Sequence, residues 1–99
     1  MILAIVQARM GSTRLPGKVL KKINGKPLIE ILLRRLSRSK KIDKIILATS
    51  ENKENDILTE TVENLVFDVF RGSEEDVLDR CYQAARHYSP EAVVRITGD

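Results

Sequence analysis

The segment from Ala8 to Lys18 reads A-R-M-G-S-T-R-L-P-G-K and follows directly on an aliphatic run, I-L-A-I-V. It carries cations, glycines, hydroxyls and a proline, and almost nothing in it is fit to build a core. These residue types suit phosphate oxygens. Arg9 and Arg14 can grip an oxyanion with two parallel hydrogen bonds, Lys18 offers a point charge, and exposed amides complete the cradle. Gly11 permits close approach of the backbone, and Pro16-Gly17 sets a turn that brings Lys18 back. Cations held among small residues repel one another unless an anion joins them. Two other segments carry chemistry. One is R-G-S-E-E-D-V-L-D-R, Arg71 to Arg80; the other is T-G-D, Thr97 to Asp99. Asp99, alone after a glycine, suits a turn or a metal ligand.

Two phosphate-binding templates fail on spacing. The G-x-x-x-x-G-K-[ST] loop needs four residues between its glycines and a hydroxyl after lysine. Here S-T-R-L-P separates Gly11 from Gly17, and Val19 follows Lys18, so there is no such NTPase site. The dinucleotide pattern G-x-G-x-x-G is also absent. What remains is an extended loop that wraps a nucleoside triphosphate, set against the plainer alternative of a basic surface loop.

The elements that must position this loop alternate. Ile2–Val6 reads as a buried parallel strand. Asn24-Gly25 signals a turn and Pro27 suits a helix start. Leu28–Arg38 reads as a helix with Ile29, Leu32, Leu33 and Leu36 on its apolar stripe. Lys44–Ala48 is a second strand. Glu54–Glu63 is an amphipathic helix with Ile57, Leu58 and Val62 inward, and Val66–Phe70 is a third strand. Ser73 is positioned to cap a helix whose buried face is Val77, Cys81, Ala84, Ala85 and Tyr88. Ser89-Pro90 ends it, and Ala92–Thr97 is a fourth strand. Strand-helix alternation predicts an α/β three-layer sheet, mostly parallel, with ligands beyond the carboxyl ends of the strands. Ala8–Lys18, Thr49–Lys53 and Arg71–Asp76 all fall there. A domain that stops at Gly98-Asp99 leaves its last strand uncovered, which predicts that the chain is the N-terminal part of something longer.

Totals set the outer bounds. A chain of 99 residues suits one small domain, and no apolar run approaches the roughly 18 residues of a membrane helix. No charged leader precedes the first apolar run, so no signal peptide is expected. The lone Cys81 excludes an internal disulfide and fits a reducing cytoplasm. The net charge of +3 hides an imbalance: residues 1–44 hold 12 Lys/Arg against 2 Asp/Glu, and residues 45–99 hold 5 against 12. A basic half suggests a polyanionic partner. Arg34, Arg35, Arg38, Lys40, Lys41 and Lys44, however, lie on one helix and its exit, where a solvated face explains them. Sparse aromatics argue against single-stranded nucleic acid. His87 reads as a capping or exposed residue, and Met10 as a gap-filler.

Taken together, Ala8–Lys18, I-N-G-K-P-L-I, Arg71–Arg80 and Thr97–Asp99 resemble the cytidylyltransferases that activate acidic sugars. Close relatives are the N-acylneuraminate and 3-deoxy-manno-octulosonate enzymes, and the nearest likeness is to the spore-coat polysaccharide branch. The resemblance runs the length of the chain but covers only the front part of family members, so residues 1–99 are expected to be the nucleotide-binding part of a nucleotidyltransferase domain with a Rossmann-like α/β/α fold. It implies transfer of CMP from CTP to an acidic sugar hydroxyl, giving a CMP-sugar and pyrophosphate, in the cytoplasm. It also implies Mg²⁺ and allows a homodimer of the longer protein. Carried onto this sequence, Arg9 and Lys18 hold the triphosphate as catalytic cations; Arg14 joins the nucleotide-binding set from the composition of the loop alone. Ala8, Gly11 and Ser12 form the wall for the nucleotide, Arg71 and Ser73 border the base, and Asp99 ligates the metal. Asp76 and Arg80 match family positions without a fixed role, and Arg95 is unassigned. Two alternatives stand beside this: a non-catalytic nucleotide- or polyanion-binding module, and a transferase for another nucleoside triphosphate.

Overall fold

The computed structural model describes residues 1–11 and 17–97. Ser12, Arg14 and Asp99 therefore lie outside the described residues, and so does Pro16. The first strand, β1 (Ile2–Gln7), is buried from Leu3 to Val6. A single 3-10 turn (Lys18–Leu20) buries Val19. Two short strands follow, β2 (Lys22–Ile23) and β3 (Lys26–Pro27), paired antiparallel around Asn24-Gly25. Both turn residues have positive φ, 53° and 83°, as a two-residue hairpin of this hand requires. Helix α1 (Leu28–Ser37) starts after Pro27, as expected, and ends one residue earlier than the pattern suggested. Then come β4 (Lys44–Ser50), α2 (Asp56–Asn64), β5 (Asp68–Gly72), α3 (Val77–Tyr88) and β6 (Ala92–Thr97).

The four long strands form one all-parallel sheet in the order β5-β4-β1-β6. Alternate side chains of the sheet feed two cores. Val6 and Leu47 join Ile29 and Leu33 of α1 and Leu58 and Val62 of α2 on one face. Leu3, Ile5, Ile46 and Ala48 join Cys81 and Ala84 of α3 on the other. This is the expected three-layer α/β arrangement. Each fully buried Leu, Ile or Val contributes roughly 1.5–3 kcal/mol of transfer free energy, so the layers are held chiefly by these aliphatic side chains.

Several expectations need correction. The third strand starts at Asp68, not Val66. Helix α2 ends without a glycine, and Val66 takes the reversing left-handed conformation itself (φ 68°), which leaves it 91% exposed. Ile57 is 56% exposed, because Leu58 and Val62 alone face the sheet. Val77 is also exposed. Ser73 does not cap α3. Asp76 does, its Oδ1 accepting from the Asp79 amide at 2.9 Å, while Ser73 Oγ accepts from the Asp76 amide at 3.0 Å. A carboxylate beside the positive helix end is the better-matched cap. Cys81 is buried as expected, and its sulfur accepts from Gln7 Nε2 at 2.7 Å. His87 is exposed and sits edge-on to Tyr88. On α1, Arg34 pairs with Glu30 at 3.1 Å on the outer face. Among the described residues, no helix is long and apolar enough to cross a membrane.

Candidate functional site

Strand order decides where a ligand can enter. From β1 the chain crosses by α1 to β4 on one side, while α3 leads to β6 on the other side and packs on the opposite face. Helices leaving to opposite faces open a crevice outside the carboxyl ends of β1 and β6. A cavity of about 140 Å³ lies there, lined by Gln7, Ala8, Arg9, Val77, Arg80 and Thr97. Gln7 and Thr97 are register partners at the ends of the two strands.

The loop that leaves β1 is fixed at its neck. The Met10 amide donates to Asn55 Oδ1 at 2.8 Å, and Asn55 Nδ2 donates to Ser50 Oγ at 2.6 Å. Asn55 is fully buried, so these bonds replace water rather than compete with it. The Gly17 amide donates to the Met10 carbonyl at 2.9 Å, which brings the two ends of the loop together. Gly17 has φ 75°, a conformation that explains glycine at this position. Lys18 follows at once in the 3-10 turn, half-buried, and its ammonium has no ion pair among the described residues. Met10 packs against the first core, as a gap-filler should.

Of the residues singled out from sequence, Ala8 and Arg9 line the cavity, and Gly11 and Lys18 stand at the loop's two ends. Arg9 is not free. Its Nη1 lies 3.3 Å from Glu74 Oε1, a bond that joins the exit of β1 to the β5–α3 loop. Gly11 leaves room for a carboxylate, since a Cβ there would lie 2.5 Å from Glu54 Oε1. Ser73 reaches the site through its carbonyl, which accepts from Arg80 Nη1 at 3.0 Å. Arg71 has three partners within the chain. Its guanidinium donates to the Ser50 carbonyl at 2.9 Å, the Asn52 carbonyl at 2.9 Å and Asp56 Oδ1 at 2.8 Å. It clamps the exit of β4 to the start of α2. Arg95 donates to Gln7 Oε1 at 3.2 Å. Sequence reasoning missed Asn55, Gln7 and Glu74. The polar stretch Thr49–Lys53 pointed to the right edge, but nothing in it distinguishes a buried asparagine just beyond from an exposed one.

At the other end of the sheet, Lys44 Nζ lies 2.6 Å from Asp68 Oδ2. Hydrogen bonding to Lys44 holds the Asp68 carboxyl below its ordinary range, and the same bond raises the Lys44 ammonium. Burial raises the Tyr88 phenol, whose hydroxyl donates to the same carboxylate at 3.3 Å.

A family model described as cytidylyltransferase matches residues 3–99. The chain belongs to the cytidylyltransferase family. It is 46% identical to the spore coat polysaccharide biosynthesis protein SpsF of Bacillus subtilis, covering 99% of this chain and 42% of that protein. It is 34% identical to a 3-deoxy-manno-octulosonate cytidylyltransferase of Hydrogenovibrio crunogenus, covering 95% and 38% respectively. A solved cytidylyltransferase from Leptospira borgpetersenii superposes with a TM-score of 0.93 at 37% identity, covering 99% of this chain and 41% of that one. The chain thus spans about two fifths of the length of the cytidylyltransferases it matches.

Proposed function

We propose that this cytidylyltransferase chain is the nucleotide-binding part of an enzyme that transfers CMP from CTP to an acidic sugar hydroxyl in cytoplasmic glycan biosynthesis. The observation that carries the reading is the Ala8–Lys18 segment, tied at its neck beside the β1/β6 crevice of a chain that belongs to this family. In this reading the sugar oxygen attacks the α-phosphorus, its bond to phosphorus forms, and the bond to the bridging oxygen of pyrophosphate breaks. Negative charge grows on the leaving group, where fixed cations count most. Arg9 and Lys18 supply that charge, Arg14 adds a further cation from the same segment, and Ala8, Gly11 and Ser12 bound the nucleotide. Ser73 borders the base through its backbone. Arg71 contributes by holding the β4 exit in place.

Mg²⁺ belongs to the same reading. Among the described residues there is no cluster of three His, Cys, Asp or Glu that could hold a metal alone. Mg²⁺ in phosphoryl chemistry is ordinarily held by one or two carboxylates plus the substrate's own phosphates, so a single protein ligand suffices. In this reading Asp99 would be that ligand. Bound, the ion would neutralise phosphate charge and polarise the α-phosphorus.

The test is CTP binding by calorimetry to the wild type and to Lys18→Ala. The reading expects CTP preferred over UTP, GTP and ATP, and roughly a tenfold or greater loss from this one change, the worth of one charged hydrogen bond. A second reading has its own observation: Lys26, Arg34, Arg35 and Arg38, together with Glu30, line a cavity of about 160 Å³ beside α1. If that cavity binds a polyanion, Lys18→Ala has little effect, all four nucleotides behave alike, and affinity falls steeply with salt.

A further inference from the structure

The arginines of this fold differ in how their charge is answered. Arg9, Arg34 and Arg71 each lie within ion-pair distance of a carboxylate. Arg80 does not, yet it is the deepest of them, at 2% exposure. Among the described residues its polar contact is Nη1 to the neutral Ser73 carbonyl at 3.0 Å, and its Nε is buried without a partner. Among the described residues no carboxylate lies within ion-pair distance of it. Glu74 pairs with Arg9 through Oε1 while its Oε2 is buried without a partner, Asp76 caps α3, and Asp79 accepts from Gln83. A buried cation without a counter-charge is among the costlier features a small domain can carry. Sequence alone placed Arg80 on a helix and gave it no role.

Arg80 also lines the 140 Å³ cavity at the β1/β6 crevice, together with Arg9 and the polar end of β1. We propose that the missing counter-charge arrives with the ligand, and that Arg80 forms the wall of an oxyanion subsite in this cavity. The inference rests on the proposed function. The shared chemistry is a planar or tetrahedral oxyanion, supplied either by a nucleotide phosphate or by the carboxylate of an acidic sugar. Arginine suits either, because its fork can present two donors to two oxygens. The plain alternative is a strap: the Arg80 stem lies against Gly72, where an added Cβ would sit 3.3 Å from its Cγ, and Nη1 ties down Ser73. The strap explains the stem and one nitrogen, but leaves the buried Nε without a hydrogen-bond partner and the charge without an ion pair among the described residues.

The experiment follows the Arg80 Nε–Hε resonance of the whole 99-residue chain by NMR at constant ionic strength. The titrants are inorganic phosphate, CMP, acetate and uncharged cytidine. A saturable Arg80 response to phosphate and CMP assigns the subsite to a phosphoryl group, and a response to acetate assigns it to a carboxylate. Arg80→Lys, which keeps the charge and loses the fork, weakens that binding by roughly tenfold, with an unchanged backbone amide spectrum showing that the fold is intact. If the Gly17 amide responds to CMP while Arg80 ignores every oxyanion, Arg80 is a strap and the nucleotide reading survives. A response to cytidine equal to that with CMP overturns the oxyanion assignment. Silence at both Gly17 and Arg80 overturns the subsite and the nucleotide reading together.

Discussion

Asn55→Ala is expected to be the most informative single change to the scaffold of the site. The side chain is fully buried and makes two short hydrogen bonds, to the Met10 amide at 2.8 Å and to Ser50 Oγ at 2.6 Å. Alanine leaves the Met10 amide without its acceptor and the Ser50 hydroxyl without its donor. Each orphaned buried group costs roughly 1–3 kcal/mol. Ser50 Oγ also accepts from the Asn52 amide at 3.3 Å, which softens its share. The sum is then about 3 kcal/mol, which for a domain of this size lowers Tm by roughly 12–24 °C. Urea denaturation followed by circular dichroism measures the loss. Amide hydrogen exchange locates it: Met10 and Gly17 should lose protection before the β1 interior does. A loss under about 0.5 kcal/mol with Met10 still protected would show that the loop neck is held by something other than Asn55, and would refute the account of the loop given above.

Three further outcomes follow from the same geometry. Gly17→Ala forces a Cβ into φ 75° and should cost roughly 1–2 kcal/mol, read as a shift in the urea midpoint. Arg71→Lys keeps the charge but not the three-way fork, so it should destabilise the chain by roughly 1–2 kcal/mol and leave the Lys18-dependent part of CTP binding in place. Asp68 is held below its ordinary value by Lys44, so its stabilisation is present above the unfolded carboxylate pKa of about 4 and is lost as pH falls through the lower folded value. Asp68→Asn should therefore lower Tm near neutral pH, with the two melting curves converging in strong acid. Lys44, raised by the same bond, adds stability below its ordinary range that is lost at high pH. Both side chains are more than a third exposed, so the effect is small and screened by salt.

What could be read from the sequence was the periodic part. Aliphatic runs bounded by turns gave the four long strands, and the i, i+3, i+4 stripe gave α1. Ile29 and Leu33 proved buried where that stripe put them. The β2–β3 hairpin escaped because two-residue strands have no period to detect, although Asn24-Gly25 marked its turn. The start of β5 was misplaced because Val66 looks like a strand residue and acts as a helix terminator. For the site, the loop announced itself by composition. The contacts around it did not, since Arg9–Glu74, Asn55–Met10 and Arg80–Ser73 each join segments that only the folded sheet brings together. Arg71 is a further case. The resemblance placed it at the border of the base, and residue type and position gave no sign of the three acceptors it holds within the chain.

The pairing of β1 has a consequence for synthesis. Residues 2–7 bond on one side to residues 44–48, and on the other to residues 92–97. This inner strand is therefore made before either of its two partners, and the second of them is the last described strand to be made. While residues 45–91 are being made, its aliphatic edge stands open, and an open flat edge is a template for strands of neighbouring chains. Nascent chains halted before Ala92 should self-associate through β1, and release of β6 should cover that edge and pass the exposure to β6, whose Val93 and Val94 are open to solvent.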